Sequence, residues 1–399
     1  MKKLTGTLLS VVVAASLANA VQFEAPKDTS TFKKVEVNID FGLTFNYQGL
    51  TQNYTPTTGT ALDLQSGFIL PTADLDVRAK VMSGFNVYLK TMLSSHHHND
   101  TYVQGGYATI DNLDFITPGF GSAFMDNATI KMGVYMPDIG DDHFSRTSNA
   151  QVFDNPFITN PAAELYLDAP FAEVLYRMPA INMFGLVGYT TGQVNPTDVT
   201  KSAGSAAPMF YGKVGYDKQL NESLRTRVTE SLVYVNNTNK HNLFHGDKAG
   251  TVAADIFGVT NGFGSEWNPL PDFADLVVSM TNVFVKYNKT ELSGMYQYAN
   301  GATNTGVSLK FNHYTLSAVQ RFGMNDRFYA AIRYENGKVK RSDDTTNDKL
   351  TQTELALGWF LSKNAMAKVE YIDQKRENFS SFIGNAKFSG YMVQAALRF

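Results

Sequence analysis

From Val35 to Tyr47 apolar and polar residues alternate without a break. Val35, Val37, Ile39, Phe41, Leu43, Phe45 and Tyr47 share one parity, and Glu36, Asn38, Asp40, Gly42, Thr44 and Asn46 share the other. Period two sustained over this many positions is a strand and excludes a helix. The segment is also long enough for a tilted passage through a bilayer, which takes about 9 to 11 residues per strand. The chain finishes in the same way: Tyr391, Val393, Ala395, Leu397 and Phe399 alternate to the last residue, a phenylalanine carboxylate. Chain ends fray in water unless something ties them down. A closed barrel ties them by pairing the last strand with the first, one face toward lipid and the other toward a lumen.

The same period recurs between these ends, and the connections alternate in length. Leu75 to Val81 turns at Ser83-Gly84 into Phe85 to Leu93; strands follow near Tyr102 to Asp111 and Ala128 to Met136. A long loop from Pro137 to about residue 163 leads to a strand ending near Met178, a turn at Pro179-Ala180, and a strand from Met183. Later strands run in pairs joined by short turns at 218–221, 288–289, 323–326 and 362–364, with a loop of nearly forty residues after Tyr234. The count is sixteen, within two. The expected fold is an all-β transmembrane antiparallel β-barrel with short periplasmic turns, long extracellular loops and both ends in the periplasm.

The N-terminus supports export. Met1-Lys2-Lys3 is basic, Leu4 to Leu17 is a short mostly apolar run, and Ala18-Asn19-Ala20 is an A-x-A cleavage site. This reads as a signal peptide over residues 1–20, leaving 21–399 as the barrel domain. Removing Lys2 and Lys3 moves the formal net charge from −3 to −5, which argues against a nucleic-acid partner. Absence of cysteine rules out disulfides, thiolate catalysis and cysteine-based metal sites. His96-His97-His98 invites a metal reading, but three consecutive loop residues cannot easily all reach one ion and only Asp100 is near. A solvated loop is expected there, and likewise at His241 and His245; no metal or cofactor is expected.

The aromatic residues, 28 Phe and 20 Tyr, fall in two bands. In the outward register Tyr47, Tyr234, Tyr298, Tyr334, Tyr371 and Tyr391 sit at the loop ends, and Phe85, Tyr216, Tyr287, Phe322, Phe328, Trp359 and Phe399 at the turn ends. Such bands mark the two membrane interfaces. Glu230 breaks the outward pattern between Val228 and Leu232. Either a bulge reverses the register there, or Glu230 faces another subunit.

The inward register is mixed in charge, with fourteen bases, among them Lys90, Lys131, Arg225, Arg227, Arg327 and Arg333, against nine acids. Such a wall keeps a lumen hydrated, and sixteen strands enclose enough space for an aqueous channel.

In strand number, loop asymmetry, long third loop and terminal Phe399, the chain resembles the outer-membrane porins of Gram-negative bacteria. The stretch Pro137-Asp138-Ile139-Gly140-Asp141-Asp142 loosely resembles the Pro-Glu-Phe-Gly-Gly segment of general porins, with Asp138, Ile139 and Asp141 departing from it. The resemblance implies a third loop folded into the lumen, with Asp138, Asp141, Asp142 and Arg146 at a constriction facing the basic wall residues. It also implies recognition of Phe399 by the barrel assembly machinery, a homotrimer, and an outer-membrane location among lipid and lipopolysaccharide. Opposed charges across a narrow pore orient polar solutes, and rings of one sign select ions.

The function expected is passive diffusion of small hydrophilic solutes and ions, with no covalent chemistry. A substrate-biased porin, preferring anions or phosphate, is the alternative suggested by the excess of inward bases. An outer-membrane phospholipase or protease needs an activated nucleophile and resembles barrels of ten or twelve strands. A transporter of hydrophobic compounds needs a plug domain, and Val21 to about Lys33 is too short for one.

Overall fold

The computed structural model describes residues 22–94, 101–146, 152–190, 208–236, 243–244, 252–258, 267–271 and 273–399. The signal segment 1–20, His96-His97-His98, His241 and His245 lie outside the described residues.

Sixteen antiparallel strands close into one barrel, each paired with its neighbours in the chain. They are β1 (Glu36–Asn53), β2 (Thr72–Met82), β3 (Phe85–Ser94), β4 (Tyr102–Ile110), β5 (Ala128–Tyr135), β6 (Ala169–Met178), β7 (Met183–Thr190) and β8 (Met209–Asn221). The second half comprises β9 (Leu224–Val235), β10 (Phe273–Tyr287), β11 (Thr290–Thr303), β12 (Ser308–Phe322), β13 (Phe328–Arg341), β14 (Asp348–Ser362), β15 (Ala365–Glu377) and β16 (Ala386–Arg398). A two-residue ladder at Gly67–Phe68 adds beside β1. Closure comes from β1 and β16, with Leu43 opposite Leu397 and Tyr47 opposite Val393. Phe41 and Phe399 exchange backbone hydrogen bonds of 2.6 and 3.0 Å, so the terminal residue is tied to the first strand, as its alternation requires.

Burial is inverted relative to a protein folded in water. Val37, Ile39, Phe45, Val187, Leu316 and Leu357 stand exposed on the outer wall, whereas Lys90, Lys213, Arg227, Glu354, Lys368, Glu370 and Gln374 are buried inside. Polar inside and apolar outside is the arrangement a lipid-embedded barrel needs. Outward rings gather at the strand ends: Phe322, Phe328 and Trp359 stack in a row with centroids 5.9 Å apart at the short-turn end. Tyr47 and Tyr391 lie 6.3 Å apart toward the long loops. The exception among the short turns, residues 111–127, carries a single-turn helix, α1 (Ser122–Met125).

Among the described residues, two connections rather than one fold inward. The third loop between β5 and β6 enters the lumen, and the described parts of the loop between β9 and β10 pack over it. Trp267 N–H donates to the Ala162 carbonyl (2.6 Å) and Tyr166 N–H to that of Leu243 (2.9 Å). Leu243, Phe244, Trp267 and Leu270 join inward Leu309, Phe311, Val339 and Leu350 in one apolar cluster. The lumen is therefore lined by charged and polar side chains over part of its height and filled with apolar side chains toward the long-loop end, which the mixed charge of the inward register did not predict. The inward positions near the loop ends of β12, β13 and β14 are apolar, and the burial of Leu and Phe there is what draws the second loop in.

Candidate functional site

The third loop is fastened to the wall at both of its ends. Its first half leaves β5 at Met136-Pro137, where proline cannot continue the ladder. Gly140 adopts φ +68°, and a Cβ on it would lie 2.3 Å from Met280 Sδ. Only glycine lets the chain press this close in that conformation. Its N–H donates to Ser231 Oγ at 3.1 Å.

Around this turn the acids meet the wall directly. Asp138 lies 2.7 Å from Lys213 Nζ and 3.0 Å from His143 Nε2, and its N–H donates to Glu173 Oε2 at 3.0 Å. Asp141 takes a bidentate fork from Arg227, 2.8 Å on each arm, and a hydroxyl hydrogen bond from Thr229 (3.1 Å). Burial works to raise both carboxyls, yet their partners prevail. Lys213 and His143 hold Asp138 well below the carboxylate range, and Arg227 and Lys213 hold Asp141 below it.

The second half of the loop docks on β13, β14 and β15. Lys368 donates to the carbonyls of Val152 (2.6 Å), Asn155 (2.6 Å) and Phe157 (2.9 Å). Glu335 accepts from the N–H groups of Ala162 and Ala163 at 2.9 and 3.0 Å, and Thr159 donates to Glu370 at 2.7 Å. Arg333 is ion-paired with Glu354 through both arms. It also donates to the Thr159 carbonyl (2.8 Å) and lies 4.4 Å above the Phe157 ring.

The residues singled out from the sequence thus separate into groups. Asp138 and Asp141 do not face the basic wall across a gap; they are bonded to it, and their charges are spent in holding the loop. Arg227 belongs with them, and Arg225 clamps Asp217 beside it at 2.9 and 2.7 Å. Arg146 is buried against Glu164 (2.6 Å) and over Tyr166 (4.2 Å), bracing the loop internally. Lys90 pairs with Asp74 and Asp76 on the neighbouring strand. Lys131 pairs with Glu173 at 3.1 Å. Arg327 is not part of the facing wall: β13 begins at Phe328, so Arg327 sits exposed in the turn before it. Lys213, Glu173, Glu335, Glu354, Lys368 and Glu370 do the fastening. Alternation puts Lys213, Glu335, Glu354, Lys368 and Glu370 on the inward face, whereas Glu173 lies in a strand too weakly patterned to place. No signal in the sequence shows the attachment of any of the six to the loop.

A cavity of about 90 Å³ remains beside the loop, bordered by Asp142, Arg146, Asn282, Glu291, Thr315 and Arg333. Asp142 is the one loop aspartate of the three that lines this space without a wall cation bonded to it among the described residues. Burial, helped by Asp141, pushes its carboxyl up to about 6, against the pull of His313, Arg333 and His143. The group is charged above that pH and neutral below it. Docking of the loop therefore strengthens as pH falls through 6 toward the ordinary aspartate range, because the docked form binds the proton more tightly. Between pH 7 and 5 the cavity loses a negative charge, and permeability is expected to shift toward anions with a midpoint near 6. Reversal potentials in a salt gradient check this: Asp142→Asn is expected to flatten the profile at its low-pH value, and an unchanged profile in that variant assigns the titration elsewhere.

On the outer wall, Glu230 keeps its outward register, with Val214 and Thr281 opposite, so no bulge reverses it. Its carboxylate accepts hydrogen bonds from Ser279 and Thr281, both 2.6 Å, on β10. Among the described residues no group of three or more His, Asp or Glu side chains is placed to hold a metal ion.

The segment ahead of β1 adds to the site from the short-turn end. It turns into the lumen. Glu24 reaches Arg227 at 2.7 and 2.8 Å, and Phe23 is buried beneath the same guanidinium.

No protein-family model matches the sequence, and no curated protein does. Solved structures do match in fold. The outer membrane channel DcaP of Acinetobacter baumannii aligns with a TM-score of 0.55 at 11% identity, covering 93% of this chain and 100% of that one. The anion-selective porin from Comamonas acidovorans gives 0.53 at 12% identity over 92% and 100%. OmpT, an outer membrane protein of Vibrio cholerae, in its trimer form gives 0.54 at 11% identity over 92% and 100%. The fold shared with these outer-membrane proteins is the closed antiparallel β-barrel, here of sixteen strands.

Proposed function

We propose that the protein is an outer-membrane porin: a water-filled passage, narrowed by its third loop, for passive diffusion of small hydrophilic solutes and ions. The observation that carries this reading is the loop itself. A barrel needing only a filled interior would bury apolar groups throughout, whereas here buried ion pairs fasten a polar loop beside a cavity lined by Asp142, Arg146, Glu291 and Arg333. Buried pairs cost desolvation and are weak contributors to stability, so this arrangement fits a fixed, charged constriction better than a stabilising core. A signal peptide ending at Ala20 and an assembly signal at Phe399 fit export to that membrane.

Selectivity is expected to be weak. The excess of inward bases read from the sequence is offset by the loop acids and Glu24, so an anion bias like that named for the Comamonas porin is the second reading rather than the first. Reconstitution into planar bilayers tests both. Discrete ion-conducting steps with a small reversal potential are expected; a strongly anion-selective potential favours the second reading, and no conductance removes both.

A homotrimer is part of the proposal. β5 and β7 have eight residues each, against fifteen in β10 and β14. Eight residues rise about 26 Å along a strand, and at a tilt of roughly 40° that is about 20 Å of height, short of the ~25 Å apolar band. A second copy of the chain against this low side spares lipid the mismatch, and it places outward Glu230 at its border. Native mass of the detergent-solubilised protein is expected at three copies, and a single copy refutes the assembly.

A further inference from the structure

Within the segment Gln22–Lys34, Phe23 is the single buried side chain. Its ring lies 4.1 Å below the Arg227 guanidinium and 5.2 Å from that of Arg225. It meets the rings of Phe144 and Phe284 edge-on, at 5.6 and 5.4 Å. Glu24, next in the chain, places one oxygen on each outer arm of Arg227, at 2.7 and 2.8 Å, and lies 3.1 Å from Lys213 Nζ. The loop and the wall therefore form a slot for a ring beside a fork for a carboxylate, and one dipeptide of the same chain fills both.

The donor count shows that the fork exists independently of its occupant. Arg227 has five N–H donors in a fixed plane. Nε and one arm of Nη2 are taken by Asp141, and Nη1 also reaches Asp217 at 3.2 Å. The end-on pair, one N–H from each terminal nitrogen, is what Glu24 receives, and it is the geometry a planar carboxylate matches best. Asp141 on one edge, Asp217 beside Nη1 and the Phe184 ring at 5.0 Å hold the guanidinium without help from residues 23 and 24, so their withdrawal leaves the fork in place and unsatisfied. The rest of the segment is strapped separately, by Asp28 to Lys80 at 2.9 Å and Lys27 to the Ala128 carbonyl at 3.3 Å. Residues 23 and 24 can leave without loss of that strap.

We propose that Lys213, Arg227, Phe144 and Phe284 form a binding site for small aromatic carboxylates, and that Phe23-Glu24 is its tethered competitor. Ring and charge are both recognised: the cations lie over a ring face, a contact worth most when partly desolvated, while the fork reads the carboxylate. That the bound carboxylate is a solute in transit rests on the channel reading; the binding itself does not.

Calorimetric titration of benzoate into the detergent-solubilised barrel tests the proposal without any need for conductance. The doubly substituted Phe23→Ala/Glu24→Gln chain is expected to bind benzoate at least tenfold more tightly than the unmodified protein. Acetate, which lacks the ring, and benzyl alcohol, which lacks the charge, are expected to gain less than twofold. Glu24→Gln alone, which leaves the Phe23 anchor, is expected to fall between. Equal benzoate affinity in the two proteins overturns the site, and an equal gain for acetate overturns the aromatic class. A barrel that binds benzoate as stated yet conducts no ions sinks the porin reading and leaves this one standing.

Discussion

Arg333→Met is expected to release the second half of the third loop. Arg333 and Glu354 are 6% and 0% exposed, and Glu354 shares Thr159 with Glu370, itself fully buried. Removing the guanidinium leaves two carboxylates around one hydroxyl with no opposing fork. It also deprives the Thr159 carbonyl of a donor and the Phe157 ring of its cation. Breaking a buried pair by deleting one partner costs about 3–5 kcal/mol, and at about 1.4 kcal/mol per tenfold that is a hundredfold or greater rise in the undocked population. Two readouts follow: faster tryptic cleavage after Arg146, now protected by burial, and larger, noisier single-channel steps. Arg333→Lys keeps the charge but not the fork and is expected to lie between. Unchanged cleavage and conductance mean that Lys368, Glu335 and the apolar contacts hold the loop without Arg333.

The second large effect is on selectivity. Arg225→Gln/Arg227→Gln removes two positive charges from a region holding Glu24, Asp138, Asp141 and Asp217, with Lys213 the remaining cation bonded among them. A unit charge about 4 Å from an ion is worth about 4 kcal/mol at an effective dielectric of 20, and salt and the longer distances in the passage reduce this substantially. A net change of about 1 kcal/mol is a conservative expectation, equivalent to about a fivefold shift of the permeability ratio toward cations. An unshifted reversal potential assigns the pair to the wall alone, with no part in selection.

Much of the fold was legible because its rule is local. A period-two pattern with aromatic ends fixes which face of each strand meets lipid, so strands such as β1, β10 and β16 could be placed from their own residues, and Phe399 required a first strand to pair with. Arg327 shows the limit of that rule: alternation read through the turn into β13 counted one residue too many as wall. The site was less legible because its contacts are not local. Asp141 meets Arg227 across 86 positions and Glu24 meets it across 203, and no spacing encodes either. The inward excess of bases was visible, but their partners lay on the loop and on the segment before β1. Leu243, Phe244 and Trp267 have no period at all, so their descent into the lumen left no pattern to read. Glu230 was different again. Its outward position was plain, and what satisfies it, the hydroxyls of Ser279 and Thr281, lies one strand away in a register that only pairing reveals.

On the porin reading, the third loop sets the width of an aqueous passage. The direct measurement is single-channel conductance of the unmodified barrel against one in which residues 138–163 are replaced by a short glycine-serine linker, with strand content checked by circular dichroism. A several-fold larger conductance in the excised protein is expected, with weaker dependence on pH near 6. Equal conductance in a correctly folded pair, or none in either, contradicts it.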